Sequence, residues 1–146
     1  MIGADVHAAI QSQLAEHDQQ YTANRRGVVD ALLAAGGPIS LPDLLVTDAS
    51  LAQSSAYRSL AVLEQAGVVR RLAHVGDYAL FELDEHLTGH HHHLICEECG
   101  LVVDVTLPDG VEHEMDRSFA DVATAAGFRS THHAVDIYGT CADCRI

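Results

Sequence analysis

Lysine is absent from this sequence. Its basic complement is eight arginines, set against 21 aspartates and glutamates for a formal net charge of −13 over 146 residues. Five Arg face eleven acids before Gly89 (net −6), and three face ten after it (net −7). Neither half carries the basic footprint of a generic nucleic-acid binder, so any DNA contact must rest on a few placed arginines. No run of eighteen apolar residues occurs, which excludes a helical membrane span. The opening MIGADVHAAIQSQLAEHDQQ has neither a basic start nor an uninterrupted apolar stretch. That predicts no signal peptide and a cytoplasmic location, where thiols stay reduced and favour metal over disulfides. There is no internal repeat and, apart from one histidine run, no low-complexity segment. Nor is there a nucleophile motif of a hydrolase, so the chain is not read as an enzyme and no small-molecule substrate is expected. What is present is a 48% apolar composition, enough to bury a core.

Two modules separate along the chain. Val6, Ala9, Ile10 and Leu14 recur at helical spacing, as do Val28, Val29, Leu32 and Leu33, before Gly36-Gly37-Pro38 stops the second helix. A short helix is expected near 42–46, opened by Pro42. Another is expected from Ser50 or Ser54, either of which could cap it, to Gly67. Strand-like runs Val68–His74 and Tyr78–Leu83 flank a turn at Val75-Gly76-Asp77. Helices followed by such a hairpin describe a winged helix-turn-helix. Residues 84–89, DEHLTG, read as a linker. Beyond it, strand-like runs at His90–Ile95, Gly100–Leu107 and about Thr131–Tyr138 frame an amphipathic helix with Met115, Phe119, Val122, Ala123 and Ala126. The expectation is an α+β chain: a winged-helix domain at 1–83, a hinge at 84–89, and a small α/β domain at 90–146.

Cys96-Glu-Glu-Cys99 and Cys141-Ala-Asp-Cys144 are two C-x-x-C knuckles. Each lets one tight turn aim two thiolates at one ion, and two together fill a zinc tetrahedron with no open position. Such a closed site is structural, and one zinc per chain is expected; the alternatives are a redox pair or disulfides. His90, His91, His92 and His93 precede the first knuckle. On a strand His90 and His92 share one face and His91 and His93 the other, so the run can seed two different metal sites. Asp84, Glu85, His86, Asp104, Glu112, Asp116, His132 and His133 lie near in sequence.

H-H-H-H-L-I-C-E-E-C-G and V-D-I-Y-G-T-C-A-D-C-R resemble the ferric uptake regulator (Fur) family of metal-sensing repressors. S-S-A-Y-R-S-L-A-V-L-E-Q-A-G-V-V-R-R is similar to its recognition helix and first wing strand, and Y-T-A-N-R-R to the start of an early helix of its DNA-binding domain. The resemblance covers about residues 20–145. It implies a DNA-binding winged helix, a C-terminal dimerisation domain, and a homodimer on a palindromic operator. Tyr57 and Arg58 match the recognition-helix pair; Ser54, Ser55, Arg25 and Arg26 are further candidate DNA contacts. His91 and His93 match ligands of the site joining the domains, with His86 or Glu85 from the linker. Asp104 matches a carboxylate of some iron and peroxide sensors. Those sensors also draw a histidine from the loop after the second helix, where this chain has Gly37-Pro38-Ile39-Ser40. That loss favours tetrahedral zinc, as does a likeness of the four-His run and the T-C-A-D-C ending to the zinc uptake regulators (Zur). Zinc regulators often add a linker cysteine and a wing-strand Asp. Here there is no fifth Cys and Arg70 stands at the Asp position, which leaves the fourth ligand to Glu85 or His74. A second regulatory site is expected from His90, His92, His133 and a carboxylate, Asp116 in preference to Glu112, giving one or two regulatory zinc ions per chain. The expected function is a zinc-dependent repressor of zinc-uptake genes. The alternatives are an iron, manganese or peroxide sensor of the same family, or a zinc chaperone.

Overall fold

The structure, a computed structural model, describes residues 3–72 and 77–145. The candidate ligand His74, and Val75 and Gly76 of the expected turn, lie outside the described residues.

The N-terminal half is built by helices whose apolar faces meet. In α1 (Gly3–Glu16), Val6, Ile10 and Leu14 repeat every four residues, and all three are fully buried. The next helix, α2 (Ala23–Ala35), begins where the Thr22 side chain accepts the Arg25 N–H and stops at Gly36 with φ 68°; it buries Val28, Val29, Ala31 and Leu32. Ser40 caps α3 (Leu41–Thr47) by accepting the Asp43 N–H. Before it, Ile39–Ser40 forms a two-residue strand, β1, that the sequence reading did not anticipate. Neither expected serine caps α4 (Gln53–Gln65). Its N-cap is Ala52 with no side-chain bond, because Ser50 is already turned onto Asp48 Oδ1 and Ser54 sits inside the first turn.

The wing strands β2 (Val69–Leu72) and β3 (Leu80–Leu83) pair antiparallel, with Arg70 opposite Glu82 and Arg71 opposite Phe81, and β3 begins two residues later than expected. The first sheet runs β1-β3-β2. Among the described residues, one core of seventeen buried apolar side chains closes this half, from Val6 to Leu87.

That core reaches into the segment read as a hinge. Asp84 caps a single helical turn, α5 (Glu85–Thr88), and Leu87 inserts into the core at 2% exposure. Beyond it, β4 (His92–Cys96) is the central strand of a second sheet, ordered β5-β4-β6. It pairs antiparallel with β5 (Val102–Val105) and parallel with β6 (Asp136–Gly139). Between those edge strands lies α6 (Asp109–Ala125). No helix among the described residues is long and apolar enough to cross a membrane. The fold is a mixed α/β one with a winged helix and a cysteine-bearing C-terminal module, in agreement with the sequence reading.

Candidate metal centres and nucleic-acid interface

Three groups of His, Cys, Asp and Glu converge among the described residues, each with all its candidate ligand atoms within 4.8 Å of one another.

The first group is Cys96, Cys99, Cys141 and Cys144. Register brings the two knuckles together: Cys96 pairs with Gly139 across β4 and β6, and the Glu97 N–H donates to Gly139 O at 2.8 Å. All four thiols are free and converge on one point. Cys99 and Cys141 sulfurs stand 3.8 Å apart. A tetrahedron with zinc–sulfur arms of about 2.3 Å has edges of about 3.8 Å, so the residues fit zinc. Backbone N–H groups of Cys99 and then Cys141 draw the Cys96 thiol down to about 6, ready to bind as thiolate. Neighbouring sulfurs Cys141 and Cys99 push Cys144 up, the behaviour of crowded thiolates awaiting a cation.

The second group is Glu82, His91, His93 and Asp104. Glu82 comes from β3 of the winged helix; the others come from β4, its approach and β5. His93 faces Asp104 on one neighbouring strand and Asp136 on the other, so pairing alone sets two carboxylates beside it. Glu82 Oε1 lies 2.9 Å from His93 Nε2 and 3.1 Å from His91 Nε2. On the far side of each ring, His91 Nδ1 meets Gly89 O at 3.0 Å and His93 Nδ1 meets Asp136 Oδ1 at 3.1 Å. Acceptors at both ends of each ring favour the doubly protonated imidazole in the metal-free protein. Burial lowers the His91 pKa, but the Gly89 carbonyl and Glu82 outweigh it and leave it raised; Glu82 is the first cause of the rise at His93. Burial would lift the Glu82 carboxyl, yet hydrogen bonds and charge from His93 and His91 hold it below the usual range. Burial, then the Glu82 charge, raises Asp104, and its buried Oδ1 has no hydrogen-bond partner. An orphaned acceptor beside a second carboxylate and two imidazoles fits a divalent cation. The outer acceptors fix each ring so that Nε2 faces the ion.

The loop after α2 passes against this group: a Cβ on Gly37 would lie 3.7 Å from Asp104 Oδ2, but Gly37 offers no ligand. The linker residues lie apart from this group. The His86 ring is engaged by Asp84 Oδ1 and Gln13 Oε1, and Glu85 turns to His90 Nδ1 at 2.9 Å. Both were expected at this site; the α5 turn, anchored by Leu87, points them away. The carboxylate comes instead from Glu82, directly across the wing from Arg70. The sequence signal for it was a lone charge inside the apolar strand Leu-Phe-Glu-Leu, 4% exposed.

The third group is His90, His92, Glu112 and His133. His90 Nε2 and His133 Nε2 are 3.2 Å apart, and Glu112 Oε2 lies 3.1 Å from His133 Nε2 and 3.3 Å from His90 Nε2. Ligand arms of about 2.0 Å give tetrahedral edges of about 3.3 Å. The preference for Asp116 is corrected: Glu112, one turn earlier, supplies the inner carboxylate, while Asp116 Oδ1 holds the opposite ring nitrogen, His133 Nδ1, at 2.9 Å. His132 bonds Thr131 and stays outside.

On the winged helix, Tyr57 is 61% exposed, not core. It shares one groove with Gln53, Ser54 and Arg58, and a neighbouring one with Arg25, Ser55 and Arg58. Arg26 instead lies over the Tyr21 ring, 4.8 Å from its centroid.

The ferric uptake regulator family profile matches residues 16–138. A ferric uptake regulation protein of Legionella pneumophila is 30% identical over 133 residues, covering 91% of this chain and 84% of that one. The structure of the Helicobacter pylori ferric uptake regulator, reported with three functional metal binding sites, aligns with a TM-score of 0.75 over 98% of this chain and 93% of that one, at 20% identity. A holo XcZur structure aligns with a TM-score of 0.54 over 96% of both chains, at 26% identity. The chain belongs to the ferric uptake regulator family and is a metal-responsive transcription regulator.

Proposed function

We propose that this regulator is a zinc-responsive repressor of zinc-uptake genes, acting as a cytoplasmic homodimer on a palindromic operator. Residues 1–83 bind DNA, 84–89 form the hinge, and 90–146 dimerise. The observation that carries the reading is the origin of the hinge ligands: Glu82 belongs to the wing, and His91, His93 and Asp104 to the C-terminal sheet. These four residues would hold a divalent cation between the wing and that sheet.

The protein's own groups do the rest. His91 and His93 release their Nε2 protons to take up metal, Glu82 turns from hydrogen-bond acceptor to ligand, and the β3–β4 separation is fixed. In a dimer this sets both α4 helices at the spacing of successive major-groove half-sites. Tyr57 and Arg58 then reach base edges and phosphates, with Ser54, Ser55 and Arg25 on the backbone. Because the DNA-ready arrangement binds metal better, DNA must tighten metal equally. Leu94, Val103, Ile137 and Tyr138 of the second sheet, and Phe119 and Val122 of α6, are exposed in the single chain and supply an apolar dimer face. The cysteine zinc keeps the C-terminal module folded and does not sense; the third group fills as a further regulatory site.

One observation favours a second reading. Two carboxylates with two imidazoles form an oxygen-rich set that iron(II) or manganese(II) also accept. Operator binding at buffered free Zn²⁺, Fe²⁺ and Mn²⁺ decides between them. Zinc should act at the lowest free concentration; an operator complex formed with iron or manganese but not zinc refutes the zinc assignment.

A further inference from the structure

Arg70 stands beside the hinge ligands and has no part in the function so far. Its Nη2 donates to Glu82 Oε1 at 3.2 Å, and that same oxygen receives His93 Nε2 at 2.9 Å and His91 Nε2 at 3.1 Å. His91 Nε2 lies equally 3.1 Å from Oε2, so the two oxygens of one carboxylate serve three donors, with Arg70 and His93 both on Oε1. The contact is not an accident of a long side chain: Arg70 and Glu82 are directly opposed in the β2–β3 ladder. Nor is it a solvated surface pair, since the Glu82 side chain is 5% exposed. Arg71, the next residue, shows the contrast. Its pair with Glu64 is exposed on both sides, and its guanidinium lies over Phe81 on the other face of the strand.

The three donors differ chemically. The two imidazoles can give up their Nε2 protons and become ligands. A guanidinium cannot be deprotonated in a protein, so its charge stays whatever fills the site. In the metal-free protein that charge is an asset, because a buried carboxylate needs partners. To an incoming dication it is a fixed positive charge on the carboxylate the ion must share. The Arg70 side chain, 28% exposed, has a route out to solvent, but swinging out forfeits a charge-assisted bond to a buried carboxylate.

We propose that Arg70 is a tethered competitor for Glu82. Its guanidinium holds the carboxylate in the metal-free protein, raises the free metal concentration needed to fill the hinge site, and so sets the threshold at which the regulator responds. Arg70 is a positioning residue, acting on metal through Glu82. The inference rests on reading the hinge group as a regulatory metal site.

The test is competition titration of zinc against a chelator on the full chain, comparing wild type with Arg70→Gln, Arg70→Lys and the His91→Ala/His93→Ala double variant. Arg70→Gln should tighten the hinge zinc about ten- to a hundredfold, the range expected when one charge-assisted bond no longer has to be broken. Arg70→Lys, which keeps the charge, should stay near wild type. The cysteine and third sites, which Arg70 does not touch, should hold zinc within about twofold in every single variant and serve as internal controls. Hinge zinc bound equally or more weakly by Arg70→Gln overturns the competitor role while leaving the site intact. A double variant that loses no zinc-binding step sinks the site itself, and the competitor role with it. Should Arg70→Gln misfold, the wild type still decides. The Arg70 guanidinium NMR signals should move as the hinge step of a zinc titration proceeds; signals unmoved through that step refute the proposal.

Discussion

Replacing Glu82 by Gln keeps the volume of the side chain and removes only its charge. In the structure that charge is 5% exposed and receives Arg70, His91 and His93. Removing one partner of a buried charged pair costs about 3–5 kcal/mol, and the retained amide oxygen still accepts, so about 3 kcal/mol is expected here. That is a cost to folding; separately, losing the carboxylate as a ligand should weaken hinge zinc by about a hundredfold. The assay is zinc stoichiometry at buffered free metal, read beside operator gel shifts. Glu82→Gln should retain the cysteine zinc and the third-site zinc, lose the hinge ion at concentrations that saturate wild type, and fail to shift operator DNA there. A second readout separates this from general damage. Glu82 raises the pKa of His91 and His93, so the imidazole signals of both should titrate at lower pH in the variant. Wild-type zinc-dependent DNA binding by Glu82→Gln would refute the idea that the wing is clamped through this carboxylate.

Three further outcomes follow from the same geometry. At the third group, Glu112→Gln should abolish the zinc step, whereas Asp116→Asn, which loosens only the far side of the His133 ring, should weaken it about ten- to a hundredfold; equal effects in isothermal titration would refute the inner and outer assignment. The hinge should respond to pH with a definite sign. His91 and His93 are raised in the folded protein, so their contribution to metal-free stability is present below about pH 6.5 and lost as pH rises through their folded values. Hinge zinc affinity must rise over that same interval, by up to roughly a hundredfold per pH unit for two released protons; a pH-independent zinc titration would contradict doubly protonated rings. Leu87→Ala should cost about 2–4 kcal/mol in denaturant unfolding of the N-terminal core and weaken metal-dependent DNA binding. Its cysteine zinc should stay bound, and loss of that zinc would show that the hinge and the cysteine module unfold together.

Local patterns in the sequence reached far. The cysteine knuckles declare themselves by spacing, and the expected alternation matches the separation of His90 and His92 from His91 and His93, although β4 itself begins only at His92. Tyr57 and Arg58 came from the family resemblance, and Tyr57 is indeed exposed on α4. What failed was partnership across distance. Glu82 joins His91 and His93 through the way the wing packs on the second sheet, and no local pattern encodes that. Glu85 and His86 looked like linker ligands because the linker was read as free chain, while Leu87 anchors it and turns both aside. Asp116 and Glu112 lie one turn apart on the same face of α6, so periodicity could not say which carboxylate meets which nitrogen of one ring. Asp136 was passed over because its role depends on a parallel strand pairing, the least local contact in the sheet.

The parallel pairing of β4 with β6 also governs when this protein becomes able to act. Cys141 and Cys144 follow Cys99 by more than forty residues, and His133 and Asp136 come from the same late stretch. As the chain leaves the ribosome, the winged helix is finished first, with its recognition helix already exposed. Two of the three metal groups lack members until that stretch emerges, and the remaining one, Glu82, His91, His93 and Asp104, has its members but not the strand that steadies them. A nascent or truncated chain is thus a DNA-binding surface without a lock, and quality control falls to the last-made strand.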